Sequence, residues 1–489
     1  MSTPSTLPAA VADGVKPRLG WTLALLALAQ LIYALDLNIV FVALPQIGTE
    51  LGFPGQTQQL VVSAYVVFAG GFLLLGGRAA DLLGRRRVFV LALALYALSS
   101  LAGGLAGGPV VIIVARAVQG IGGALLLPST LALLNSLFAE GPQRNRALAV
   151  WGGAGASGLT IGALLGGVLT QNFGWPAVFF VNVPLAGLVA LAALAVIPRD
   201  PARGERRRFD LPGALTVTGG STLLVFALVE GPELGWGSSP VVGAFALAAV
   251  LLVIFALVEA RSADPLMPFR LFRNRSLTVG MLVTFVYMAT FGVLPYFLTV
   301  LLQSVHGYSA LQTGLAFLIP SLAIAAGTQS GERLATRIGT RPTLLIGFAV
   351  GVVGTAVLAL GFDADAGYGL LIPGLVVSGL GQGIVWTAMW IAAATGTPAH
   401  EQGVANGIAS TALNIGNAIG LAVFTVIADL GTEGRTGQAL RAATADGEFL
   451  VVLLTAAAMI AGLLITLTLP RRTPRPPAPV QPDESLATG

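Results

Sequence analysis

Apolar runs of about twenty residues, each closed by a short polar or charged break, recur from near the start of the chain almost to its end. A helix rising about 1.5 Å per residue needs roughly 20 such residues to cross the hydrocarbon layer of a bilayer. The runs predict spans near 21–45, 57–77, 88–108, 110–138, 147–170, 175–197, 212–230, 240–260, 277–302, 312–331, 343–362, 369–395, 403–428 and 449–469, fourteen in all. The first run is too long for a removable signal peptide and lacks a small-residue cleavage site; the tail before it is weakly polar and reads as disordered.

Composition turns this pattern into a class. With 55% hydrophobic residues, 10% charged residues and a mean hydropathy of +0.85, the chain is an all-α polytopic membrane protein rather than a set of soluble domains. Its net charge of +4 does not indicate nucleic acid, because the Arg residues stand in short runs between apolar segments. The chain has no cysteine, which excludes disulfides, thiolate metal sites and thiol catalysis. Lys16 is its one lysine, so no Gly-rich turn is followed by the lysine of a phosphate-binding loop, and the chain is not its own ATPase. Heavy use of Arg, Ala and Gly points to a GC-rich bacterial genome, and hence to a bacterial cytoplasmic membrane. With the N-terminus inside, inner loops and tails hold 23 of the 26 Lys and Arg, outer loops hold Arg435 and Arg441, and Arg116 lies within a span. Both termini are therefore expected to be cytoplasmic. Asn274-Arg275-Ser276 falls in an inner loop, where a glycosylation sequon is a chance match.

A charged turn, Gly77 to Arg87, has a faded echo from Glu332 to Arg341 when Gly339 is set against Gly84, with Thr336 in place of Asp81. The interval holds eight spans, two more than a plain six-plus-six duplication. The expected parse is a tail at 1–19, a six-helix bundle at 20–200, an inserted helix pair with basic linkers at 201–275, a second six-helix bundle at 276–469 and a tail at 470–489. Duplicated bundles with a site between them suit alternating access.

Two ionisable residues lie well inside the predicted spans, Asp36 in the first and Arg116 in the fourth. Charges in hydrocarbon are costly and mark function by default. Counting residues to the outer span ends places both roughly 10 to 14 Å below the outer surface, a shared depth at which they can pair. Burial favours the neutral acid and a neighbouring guanidinium favours the carboxylate, so a movement that changes their separation or wetting can load or release a proton. A static structural pair is the competing reading. Elsewhere Asn406, Ser410, Asn414 and Asn417 recur at helical spacing on the thirteenth span, and Gln382, Trp386 and Trp390 on the twelfth. Such faces point to protein or to a watered cavity rather than lipid. Asn38, Gln119, Gln382, Trp386, Trp390, Asn414 and Asn417 are the candidates for a substrate cavity, against helix packing and, for Trp390, interfacial anchoring. His306 and His400 fall on opposite sides of the membrane and make no metal site. Gly153 to Gly158 fits a dinucleotide fingerprint only in spacing, since it lies inside an apolar span with no strand before it.

Several motifs resemble a known family. The turn residues Gly77, Ala80, Asp81, Gly84, Arg85 and Arg86 are similar to the loop between the second and third helices of major facilitator superfamily transporters, with Ala79 and Leu82 departing from it. Leu35-Asp36-Leu37-Asn38 running to Val42-Ala43-Leu44-Pro45 resembles the first-helix signature of the fourteen-helix drug:proton antiporters, with Phe41 where Asn is usual. Arg116 to Ala124 resembles their fourth-helix motif, and Glu140 to Ala147 the loop after it. Gly158, Gly162, Gly166 and Gly167 match the fifth-helix antiporter motif, except that Ala163 replaces its proline. Phe180-Val181-Asn182-Val183-Pro184 closes the matching region. The resemblance implies a major facilitator fold of fourteen helices arranged six, two and six. It also implies a monomer that uses the proton gradient and no cofactor or metal to export amphipathic compounds across the lipid bilayer. Asp36 would carry the proton, Arg116 would modulate it, and Asp81 with Arg85 and Arg86 would latch a cytoplasmic gate. With one buried carboxylate in the central spans, neutral or monocationic substrates fit better than dications. The alternatives are a dedicated exporter of an endogenous metabolite, lipid or amino acid, a channel, and a lipid-modifying membrane enzyme; convergent catalytic groups for the last are not found.

Overall fold

The computed structural model describes residues 19–53, 57–200, 210–262, 265–432 and 434–470. The two tails, with Lys16, and the basic linker Arg203 to Arg208 lie outside the described residues.

Where the sequence is apolar over a long stretch, the chain is helical. The helices are α1 (Leu19–Glu50), α2 (Leu60–Gly71), α3 (Leu73–Leu83), α4 (Arg85–Gly104), α5 (Pro109–Leu137), α6 (Pro142–Phe173), α7 (Pro176–Phe180), α8 (Asn182–Val196), α9 (Leu211–Leu234) and α10 (Ser239–Arg261). They continue with α11 (Arg275–Thr290), α12 (Leu294–Val300), α13 (Ala310–Ala316), α14 (Leu318–Ile338), α15 (Thr340–Ala359), α16 (Tyr368–Ala394), α17 (Gln402–Ala428) and α18 (Gly437–Leu467). Among the described residues, twelve helical stretches are long and apolar enough to cross a membrane; α2 and α3, bent by 51° at Phe72, make a thirteenth. Prolines open α5, α6 and α7 at positions where a missing N–H costs nothing.

The helices sort into two groups. In the first, α1 packs along α6, α4 lies between α5 and α8, and α2 lies on α5. In the second, α15 and α14 flank α16, and α11 lies on α17 and α16. The pair α9 and α10 pack on each other, and α9 touches both groups, through α2 and through α17. The two groups meet where α6 lies on α14 and α16, and where α17 lies on α3 and α5. Gly84 and Gly339 play one role in the two groups. Each closes a helix and opens the next with φ of +102° and +90°, a region that favours glycine. Those are the two positions aligned in the sequence echo.

Element ends differ from the hydropathy reading in two places that matter. The second span runs on to Leu83, so Asp81 stands on a helix rather than in a loop. The last helix begins at Gly437, twelve residues before the predicted start, because its first turns are polar. Glu448 is thereby inside a helix and only 2% exposed, a buried carboxylate that the hydropathy window had left outside.

Candidate functional site

Asp36 is fully buried on α1, and its two carboxylate oxygens receive three donors from two other helices. Arg116 Nη1 donates to Oδ2 at 2.6 Å; Gln119 Nε2 and Asn182 Nδ2 donate to Oδ1 at 2.9 and 2.8 Å. Arg116 and Gln119 are one turn apart on α5, so both reach the same carboxylate. Arg116 also donates from Nε to the Val61 carbonyl at 3.0 Å and from Nη1 to Gln119 Oε1 at 2.8 Å, while its guanidinium carbon lies 4.3 Å from the centre of the Tyr65 ring. Gln119 reaches on to Ser100 Oγ at 2.9 Å, and the Tyr65 and Tyr96 hydroxyls are 3.2 Å apart. Five helices, α1, α2, α4, α5 and α8, thus converge on one charge pair. Removing one member of such a buried pair costs about 3–5 kcal/mol, because the other is left charged without a partner.

The segment carrying Asp36 is held by α6. A Cβ added at Gly158, Gly162 or Gly166 would collide with the carbonyl oxygens of Leu31, Leu35 and Ile39, so only glycine admits this approach of α1. Gly167 faces open space and plays no part in that contact. The side chain of Ala163 lies outside the described residues.

A second cluster joins the two groups of helices at one end. Asp81 accepts from the backbone N–H of Gly403 at 3.0 Å and of Val404 at 2.9 Å, the first turn of α17, and lies 3.6 Å from Arg85 on the next helix. A carboxylate there meets unpaired N–H groups and the positive end of the helix dipole. Gly77 lets the α3 backbone touch that of α17 at Gly403 and Gly407. Arg86 N donates to Asp200 Oδ1 at 3.1 Å and Arg86 Nη2 to the Leu194 carbonyl, tying α4 to the end of α8. Around Asp81, Arg270 pairs with buried Glu401, Asn135 Nδ2 lies 3.4 Å from Asn406 Oδ1, and Asn145 Nδ2 donates to Thr336 Oγ1 at 3.0 Å. The last two join the groups directly.

The remaining candidates divide. Gln119 belongs wholly to the Asp36 network, with no exposed surface. Asn38, Gln382, Trp386, Asn414 and Asn417 are part-buried, and Asn414 Nδ2 bonds its own helix at the Ser410 carbonyl, 3.0 Å away. Trp390 is 2% exposed. Trp386 stacks on Trp151 of α6, with ring centres 5.9 Å apart and planes within 13°, and Trp390 meets Trp151 edge-on at 5.8 Å. Tyr287, which hydrogen-bonds Gln382, leans on Trp386 at 5.5 Å.

Sequence reasoning gave no role to Asn182, Ser100, Tyr65 or Trp151. Trp151 had a legible signal: it is a large indole in a glycine-rich apolar run, one of six tryptophans in the chain.

Two groups of membrane-length helices that meet along α6 and α14 and across α3 and α17, with a buried charge pair in one of them, have the architecture of a polytopic membrane transport protein. The chain belongs to the Major Facilitator Superfamily, whose family model matches residues 26–421 and 280–487. It is 37% identical to the puromycin resistance protein pur8 of Streptomyces alboniger over 94% of this chain and 92% of that one. It is also 37% identical to the cephamycin export protein CmcT of Amycolatopsis lactamdurans, over 85% of this chain and 86% of the relative. Among solved structures, the proton:xylose symporter XylE superposes with a TM-score of 0.65 at 15% identity, covering 91% of this chain and 94% of that one, a likeness of fold.

Proposed function

We propose that this protein is a proton-coupled exporter of amphipathic drugs, antibiotics or other toxic compounds, working by alternating access in a bacterial cytoplasmic membrane. The observation that carries the reading is the Asp36–Arg116 pair, 2.6 Å apart and fully buried in a hydrocarbon-spanning region, where an ionisable group is retained for function. The names of the relatives, puromycin resistance and cephamycin export, supply the direction and the substrate class.

In this reading α6, 32 residues long with its arginines confined to its first turns, is a fourteenth crossing. The arrangement is then six helices, the pair α9 and α10, and six more, of the fourteen-helix drug:proton antiporter type, with both termini inside. The face of Asp81, Arg85, Arg86, Arg87 and Arg270 is cytoplasmic, since it gathers the arginines. The contacts of Asp81 with α17 then hold the cytoplasmic side shut. Three donors, from Arg116, Gln119 and Asn182, converge on the oxygens of Asp36. A proton arriving at Asp36 cancels the charge that holds Arg116, and that release is the event coupled to reopening the cytoplasmic side. The proton gradient is the energy source, with no cofactor, and one chain suffices.

The test is reconstitution in sealed vesicles with an imposed pH gradient and a panel of neutral, monocationic and dicationic lipophilic drugs, with internal pH recorded beside an Asp36→Asn control. Drug-triggered proton movement that disappears in the control is the expected result. Full proton-driven activity in Asp36→Asn overturns the role given to that residue. A second reading, a dedicated exporter of an endogenous metabolite, lipid or amino acid, is favoured by the cephamycin export protein, whose name specifies one compound. It predicts a response to a single drug class.

A further inference from the structure

We infer that Trp151, Trp386 and Trp390 form a binding slot for planar conjugated ring systems that carry carbonyl or similar acceptor oxygens, and that the Trp151–Trp386 stack is the closed, self-filled form of this slot. The inference deepens the exporter reading and rests on it for the direction of transport.

Three features of the cluster converge. First, the indole N–H groups of Trp151, Trp386 and Trp390 are all buried without an acceptor. Buried donors are ordinarily paired, and three unpaired ones within a single ring cluster are available to the acceptor atoms of a guest. Second, the cluster is split between the two groups of helices, Trp151 on α6 and the other two on α16, so any rocking of one group against the other pulls the rings apart. Third, its depth suits entry from the face of Asp81. Trp151 is nine residues from the start of α6 and Trp386 eight from the end of α16, about 13 Å in from that face. The Asp36 level, marked by the contact of Gly162 with Leu35, lies eleven residues further along α6.

The ring faces of Trp151 and Trp386 are nearly parallel with centres 5.9 Å apart, an offset stack. A planar guest needs its own van der Waals contact on each side, a separation of roughly 7 Å between the indole planes. Because the offset stack closes at van der Waals contact, α6 and α16 must part by about a further 3.5 Å, one ring thickness, to open the slot. Among the described residues no cation lies over these indoles; Arg116 sits over Tyr65 instead. The slot therefore selects by shape and by hydrogen-bond acceptors rather than by charge. When the cytoplasmic side shuts, the two indoles reclaim each other's faces. The guest is displaced by an internal competitor, which gives the exporter a physical means of release from a tight apolar site.

The test uses the full chain in nanodiscs and equilibrium binding of three labelled neutral probes, with empty nanodiscs as the partition blank. Anthraquinone is planar with two carbonyls, anthracene is planar without acceptors, and androstanedione has two carbonyls on a saturated frame. The wild type is expected to bind anthraquinone about tenfold more tightly than androstanedione. Trp151→Phe, which keeps a ring face and removes one N–H, should weaken anthraquinone about fivefold and leave anthracene unchanged. Trp151→Leu should weaken both planar probes and spare androstanedione; if it fails to fold, the phenylalanine variant alone decides. Equal binding of anthraquinone and androstanedione by the wild type overturns the proposal, as does anthraquinone binding indifferent to Trp151→Phe. Binding needs no pH gradient. Loss of proton coupling with this selectivity intact would count against the antiport reading alone, and intact coupling without the selectivity would count against the slot alone.

Discussion

Asn182 Nδ2 lies 2.8 Å from Asp36 Oδ1, although 146 residues separate them in the chain. Asn182 is the first residue of α8, and through this bond α8 reports to the buried charge on α1. Its own Oδ1 is buried without a donor, so the amide is committed to serving the carboxylate. A hydrogen bond to a charged group contributes about 1.5–3 kcal/mol. Asn182→Leu should therefore lower the thermal midpoint and change the pH profile of drug-driven proton movement, while drug binding without a gradient is retained. Parallel measurement of the pH profile and of gradient-free binding checks it; an unchanged profile would leave Asn182 a packing residue.

Arg116→Lys should be far from conservative. Arginine here makes four separate contacts: one Nη1 shared between Asp36 and Gln119, Nε on the Val61 carbonyl, and a planar face on Tyr65. An ammonium cannot hold all of these at once, because its donors radiate from a single nitrogen. The expected cost is about 2 kcal/mol or more of folding stability together with loss of coupled transport. Thermal unfolding in detergent and proton flux in vesicles measure the two separately. Near-native values for both would show that charge alone matters at this position.

The pairing of Asp36 with Arg116 was legible because depth in a bilayer is one coordinate, and counting residues along two helices is enough to match it. The third partner was not. Asn182 opens a helix, where a polar residue is common for reasons of its own, and nothing in its spacing points 146 residues back. The Val61 carbonyl belongs to a backbone that any side chain would provide. Trp151 escaped for a related reason: its significance is its stack on Trp386, 235 positions later, and no local period links two helices from different halves. Span positions were legible to within a few residues where a run is apolar throughout, as in α5 and α16. They were not at the start of α18 or at the end of α3, where polar turns continue a helix that hydropathy had already ended. The repeat of Gly84 at Gly339 was legible, since a helix-to-helix junction without a loop demands positive φ at one residue.

The glycine stripe gives a contrast within one motif. At Gly162 a Cβ would strike the Leu35 carbonyl, beside Asp36, whereas at Gly167 it would meet nothing within 4 Å. Overpacking of this kind costs about 1–3 kcal/mol. Gly162→Ala should reduce both stability and coupled transport by pushing α1 away from α6, and Gly167→Ala should be silent. Thermal midpoints and flux for the two alanine variants, side by side, decide whether the stripe acts through its contact with α1. Equal effects at the two positions would argue against it.

Asp81 and the first turn of α17 supply the last test. Its oxygens accept from Gly403 and Val404 across the two groups of helices, so Asp81→Asn removes a charge from the positive end of a helix and replaces one acceptor with a donor that faces N–H groups. Charge at a helix N-terminus contributes about 0.3–1 kcal/mol when exposed and up to about 2 in partly buried geometry, enough to shift a two-state equilibrium severalfold. The shift should favour the form in which α3 and α17 have parted. Because the chain has no cysteine, a single introduced thiol is a clean reporter. Ser410 is fully buried on α17, one turn beyond Asn406, and Ser410→Cys should react slowly with a membrane-permeant maleimide in the wild-type background. Adding Asp81→Asn should raise that labelling rate severalfold and slow net transport, since a gate that recloses reluctantly delays each cycle. An unchanged labelling rate with wild-type turnover would mean that the Asn135–Asn406 and Asn145–Thr336 contacts hold this side shut without Asp81.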